Sequence, residues 1–133
     1  MIAPALPEDH EYLRGLGVSE LLDRSADLAR AVREAHPDGV DALFDVVSQA
    51  PDDSLLQEGG RLASPLGAAG EGPGRFNVMA VPTPANLKRL ADLIDTGALQ
   101  VRIQRSYRLE QAGEALQALP ATHTQGKLGL TIA

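Results

Sequence analysis

The eight residues from Val40 to Val47, VDALFDVV, decide the fold. The run is β-branched and mostly apolar, as a parallel strand buried on both faces should be. Before it, Leu28, Ala31, Val32 and Ala35 recur at helical spacing, with Ser25 placed to cap that helix and Pro37-Asp38-Gly39 to end it. Further back lie a short strand at Glu20-Leu21-Leu22 and a helix opened by Pro7-Glu8-Asp9. That helix carries Tyr12, Leu13 and Leu16 on one face and is stopped by Gly15 and Gly17; an apolar run from Met1 to Leu6 precedes it. After the central run, Pro51 to Gln57 has room for only a turn or two of helix. Gly59-Gly60 then leads to a strand from Arg61 to Ser64, and a glycine-rich loop from Gly67 to Gly74 leads to another from Phe76 to Val81. Thr83-Pro84 opens a helix with Leu87, Leu90, Ala91 and Ile94 on one face, closed by Asp95-Thr96-Gly97. A short strand at Val101 and Ile103, a helix from Leu109 to Leu119 and a strand from Lys127 to Ile132 complete the chain. This alternation predicts an α/β fold, a mostly parallel sheet flanked by helices.

The 133 residues suit one domain. They are 44% hydrophobic but 3% aromatic, so base-stacking platforms are scarce, and a net charge of −6 is the wrong sign for gripping phosphate backbones. Nucleic acid is not an expected partner. Without cysteine there can be no disulfide, thiolate nucleophile or cysteine-based metal site. No apolar run reaches the ~20 residues of a membrane span and no signal-peptide layout opens the chain, so a cytoplasmic location off the membrane is expected.

Two glycine patterns invite a phosphate-loop reading, but the dinucleotide fingerprint follows a strand and opens a helix. Gly15-Leu16-Gly17 ends a helix, and Gly70, Gly72 and Gly74 lead into a strand. His10, His36 and His123 lack the spacing of a metal site. Ser48 and Ser64 follow predicted parallel strands, where open α/β sheets place their ligand crevice, but neither sits in a G-x-S-x-G elbow. Asp52-Asp53 and Glu8-Asp9 read as helix-start acids.

Six collinear blocks, DHEYLRGLGVSELLDRSADL, AHPDGVDALFDVV, EGGRLASPLGA, FNVMAVPTPANLKRLADLIDTGALQV, YRLEQAGEALQAL and HTQGKLGLTI, resemble the cofactor domain of the medium-chain dehydrogenase/reductase superfamily. The nearest branch is its quinone oxidoreductases, commonly labelled zinc-binding dehydrogenases. The resemblance implies a truncated Rossmann-type fold of strand order 3-2-1-4-5-6 with its first strand missing. It implies NADPH as cofactor and hydride transfer to a carbonyl or quinone. The chain begins at the family's second strand, without the GroES-like catalytic domain and the glycine-rich turn. Residues 104–133 correspond to the tail that returns to that domain. No catalytic residue and no metal ligand is carried over, and zinc is not expected.

For the cofactor, the resemblance assigns Arg24 to a 2′-phosphate, with Glu8 or Asp9 and Thr122 at the family's other phosphate positions. It assigns Val47, Ser48, Ser64, Pro65, Leu66 and Gly67 to the nicotinamide side, and Lys127, after Gly126, to a family Gly-Lys pair that reads first as a strand entry. Losing the pyrophosphate loop should remove most of the catalytic advantage. The alternatives are a non-catalytic remnant or partner subunit acting through protein association, or a truncated reading frame. Deleting strand one leaves a gap of about 10 Å between the family's strands two and four. The second strand could close onto the fourth, the tail strand could move in, or another chain could pair there. The last is the expectation, as a homodimer or a complex with a partner chain.

Overall fold

In a computed structural model, which describes residues 1–121 and 123–132, the chain is an α/β protein whose paired strands all run parallel. It divides into two units, Met1–Ala80 and Val81–Ala133.

In the first unit, β1 (Ile2–Ala5) pairs with β2 (Glu20–Asp23), and β3 (Val40–Phe44), β4 (Leu56–Ser64) and β5 (Arg75–Asn77) form a separate sheet in that order. Helix α1 (His10–Gly15) links β1 to β2, and α2 (Leu28–Ala35) links β2 to β3. Within each sheet the neighbours are those expected of strands two and three and of strands four to six in the order 3-2-1-4-5-6. Among the described residues β1 does not pair with β3, and the tail strand pairs elsewhere, so neither of the two intramolecular repairs occurs. Pro4 is accommodated without loss. The carbonyls of Met1 and Ala5 accept from Glu20 and Arg24 at 3.3 and 3.1 Å, so by alternation Ile2 and Pro4 turn their backbone groups away from β2.

Several boundaries differ from the sequence expectation, each for a local reason. Asp27, not Ser25, caps α2, accepting from the Arg30 amide at 3.0 Å, while the Ser25 hydroxyl is spent on Asp23 at 2.6 Å. β3 stops at Phe44 rather than Val47 and is not buried throughout; Phe44 is 63% exposed. Only a 3₁₀ turn, Asp53–Leu55, precedes β4. Gly59 and Gly60 lie inside β4, where the register against β3 shifts: Gly59 has φ 75°, and a Cβ on Gly60 would meet the Gln57 carbonyl at 2.9 Å. The pair makes a bulge instead of ending a helix. β5 is shorter than Phe76–Val81 because β4 ends at Ser64 and offers nothing beyond Val78 to pair with.

In the second unit, α3 (Pro84–Asp95) starts as expected, with Thr83 Oγ1 accepting from the Asn86 amide at 3.2 Å. β6 (Ile103–Arg108) excludes Val101 and runs beyond the short strand expected there. It pairs with β7 (Lys127–Thr131) across a 3₁₀ turn, Leu109–Gln111, and α4 (Ala112–Ala121). Tyr107 and Ala115 are buried here. Gly126 has φ 106°, and a Cβ on it would overlap the Arg102 carbonyl, to which the Lys127 amide donates at 2.9 Å. Gly126→Ala is therefore expected to cost about 1–3 kcal/mol, from backbone strain alone. A thermal melt unchanged from wild type would refute that.

Candidate functional site

The carboxyl ends of β3 and β4 are each followed by a turn that one side chain locks, and the last residue of β5 braces the loop that follows β4. After β3, the Asp45 amide donates to the Ala63 carbonyl at 3.0 Å, while Asp45 Oδ1 accepts from the amides of Val47 and Ser48 at 2.9 and 2.7 Å. Ser48 Oγ accepts in turn from the Ala50 amide at 2.9 Å. After β4, Ser64 is wholly buried, its carbonyl accepting from Val78 at 2.9 Å and its Oγ from the Leu66 amide at 3.1 Å. At the end of β5, Asn77 Oδ1 accepts from the Ala69 amide at 2.9 Å and its Nδ2 donates to the Gly70 carbonyl at 3.1 Å, bracing the loop between β4 and β5. Neighbouring parallel strands thus end in turns of fixed shape, at the edge where α/β sheets bind ligands.

The structure brings Val47, Ser48, Ser64, Pro65, Leu66 and Gly67 to this edge. Val47 and Leu66 expose apolar surface, and Gly67, at φ 77°, has open space where a Cβ would stand. None of the six carries a carboxylate, imidazole or amine, so together they present no such group for proton transfer. Asp45 and Asn77 escaped the reading of the sequence. An Asp two residues before the amide it accepts from is the Asx-turn signature, and it was legible in the D-V-V-S order.

Arg24 stands at the carboxyl end of the β1–β2 pair, exposed, its amide donating to the Ala5 carbonyl at 3.1 Å. Its setting is acidic. The 3₁₀ turn Pro7–Asp9 follows β1 directly, and Asp23 precedes Arg24. Hydrogen bonds from the Ser25 hydroxyl and amide hold the Asp23 carboxyl below its ordinary 3.8, against a smaller opposing effect of desolvation and with help from the charge of His10. Asp23 therefore stays ionised at neutral pH and opposes a phosphate beside Arg24. Lys127 lies in the second unit, at the start of β7, where its amide serves the strand. Thr122 lies outside the described residues.

The glycine patterns take up the positions their order requires. Gly17, at φ 92°, follows α1, and Gly72 and Gly74 precede β5, so neither pattern stands at a helix amino terminus. The donor set does not fit zinc. There is no cysteine, His36 Nε2 is engaged with Glu20 Oε2 at 2.9 Å, and among the described residues no three His, Asp or Glu side chains converge. Elemental mass spectrometry of the purified chain is expected to find no stoichiometric zinc. One equivalent surviving dialysis would overturn this.

The zinc-binding dehydrogenase family matches residues 16–129. No match to a curated protein is found. Among solved structures, AibC is similar over 98% of this chain and 44% of its own, with 24% identity and a TM-score of 0.73. An NAD-dependent alcohol dehydrogenase is similar over 99% and 43%, with 22% identity and a TM-score of 0.73. A protein designated an NADPH:quinone reductase, from Bacillus thuringiensis, is similar over 99% and 48%, with 20% identity and a TM-score of 0.67. The chain thus spans less than half the length of these structures. With its parallel strands, its flanking helices and a family match across most of its length, the chain belongs to the zinc-binding dehydrogenases of the medium-chain dehydrogenase/reductase superfamily and carries their Rossmann-like cofactor-domain fold.

Proposed function

We propose that this chain forms the nicotinamide-facing wall of an NADPH-dependent oxidoreductase that reduces a quinone or an enone-type carbonyl. The observation that carries this reading is the set of locked turns after β3 and β4, which hold Val47, Ser48, Leu66 and Gly67 at the sheet's ligand edge. Bound NADPH would supply the hydride. The chain would supply position: Val47 and Leu66 present apolar surface that shields a flat ring from water, and Gly67 lets the backbone approach closely.

The rest of the nucleotide is poorly served. No glycine turn meets a helix amino terminus among the described residues, and Arg24 stands among acids. Dissociation constants on the order of millimolar are expected for both NADPH and NADH, or only ~4 kcal/mol of binding. Calorimetry tests the affinity, and amide chemical shifts test the site. Micromolar binding with strong NADPH preference would contradict the affinity, and shifts absent from residues 45–48 and 64–67 would contradict the site.

A second reading rests on a different observation. The six residues carry no carboxylate, imidazole or amine, while many large apolar side chains are exposed, among them Phe44, Phe76, Leu87 and Ile94. A non-catalytic chain acting through association with another polypeptide accounts for both. An NADPH-dependent reductase assay with a quinone, using this chain alone, separates the two readings.

A further inference from the structure

Residues 45–55 carry the chain from the carboxyl end of β3 back to the start of β4, with the 3₁₀ turn Asp53–Leu55 at their far end. β3 is five residues long, so the crossing spans roughly 17 Å, whereas residues 45–55 could reach about 36 Å if extended. Chain length alone leaves this strap slack. Its turns are closed by side chains instead. Beyond the turns held by Asp45 and Ser48, Pro51 has a fixed φ, and Asp52 Oδ1 accepts from the Ser54 amide at 3.1 Å and from the Ser54 hydroxyl.

Two arginines grip the far end from different elements. Arg33, on α2, donates through Nη2 to Asp52 Oδ2 at 3.0 Å and to Ser54 Oγ at 2.8 Å. The Ser54 hydroxyl first, then the Ser54 amide and the Arg33 charge, hold the Asp52 carboxyl below its ordinary 3.8 against desolvation, so this anchor is ionised at neutral pH. Arg75, at the start of β5, donates through Nη2 to Asp53 Oδ2 at 2.8 Å. Its side chain is 24% exposed, and its Nη1 is enclosed with no hydrogen-bond partner among the described residues. Asp53 therefore balances a mostly covered cation.

From this geometry we infer that Arg33 and Arg75 are positioning residues for Val47 and Ser48: by pinning the far end of the strap they take up its slack and fix its near end at the sheet's ligand edge. The inference rests on the reading of residues 45–48 as part of the nicotinamide wall. Each arginine acts through the strap. Their hold passes from Asp52 and Ser54, across Pro51, to the Ser48–Ala50 turn and then to the turn that Asp45 closes on Val47 and Ser48.

Amide hydrogen exchange of the 133-residue chain, followed by NMR at Ser48 and Ala50 with Leu62 as reference, reads the anchoring without any nucleotide. Arg33→Ala keeps a strong helix former in α2 and is expected to speed exchange at Ser48 and Ala50 roughly threefold or more, leaving Leu62 unchanged. Arg33→Lys is expected to restore it, because one nitrogen of Arg33 serves both acceptors. Asp53→Asn should loosen the same amides. Should that variant fail to fold, Arg75→Met, which leaves no covered charge, takes its place. NADPH-induced shifts at Val47 and Ser48 are expected to shrink in Arg33→Ala and to return in Arg33→Lys. Unchanged exchange at Ser48 and Ala50 in the variants of both anchors would overturn the inference. So would an Arg33→Lys chain as loose as Arg33→Ala, or equal acceleration at Leu62, which would mark a general loss of stability. The wall is tested apart from the strap: NADPH shifts absent from residues 45–48 of the unsubstituted chain would sink the wall and leave the anchoring result standing.

Discussion

Leu62→Ala is expected to lower the free energy of unfolding by about 2–4 kcal/mol, a large part of what holds a domain of this size together. Leu62 is 3% exposed at the middle of the three-stranded sheet, and its amide donates to the Gly74 carbonyl at 2.8 Å. The other buried apolar residues of the first unit, Ala5, Val18 and Ala69, are all smaller, so Leu62 is its largest fully enclosed apolar side chain. Urea denaturation measures the loss. A change under about 1 kcal/mol would show that β4 is not the packed centre of this unit. Because Ser64 lies two residues on, the turn that presents Leu66 and Gly67 should loosen with it, visible as faster exchange at the Leu66 amide.

Tyr107→Ala should have a comparable effect in the second unit, about 3 kcal/mol. Tyr107 is 5% exposed on β6, and the Arg105 guanidinium lies 4.5 Å from its ring centre. Most of the loss comes from the emptied volume, since a cation over an aromatic face contributes only about 0.5–1 kcal/mol near the surface. Tyr107→Phe keeps ring and cation contact and should stay close to wild type. If the phenylalanine variant lost as much as the alanine one, the hydroxyl rather than the packing would be what matters.

The helix α3 was legible because its signals are local, whereas the strand order came through the resemblance. Thr83-Pro84 is a cap followed by a proline that needs no donor, and Leu87, Leu90 and Ile94 repeat at helical spacing. Boundaries failed where a side chain or a neighbouring strand overrode the pattern. VDALFDVV looks continuous, yet Asp45 takes the amides of Val47 and Ser48 and ends the strand early. Gly59-Gly60 looks like a helix stop, yet its place is set by the register of β3 on β4. Of the candidate site, the Val47-Ser48 and Ser64–Gly67 segments were reached through resemblance, and their position at strand ends through the α/β pattern. Asp45 was missed although its Asx pattern stands in the sequence, and Asn77 was missed because it braces a loop that lies before its own strand.

Among the described residues every strand pairs with the next or the previous one in sequence: Ile2 with Glu20, Ala42 with Arg61, Leu62 with Arg75, Ile103 with Lys127. None of these described ladders joins distant segments, so the loops that must close before they form are short, and parallel sheets usually lose speed at that step. On the ribosome, each pair can form soon after its second strand emerges, ahead of the rest of the chain.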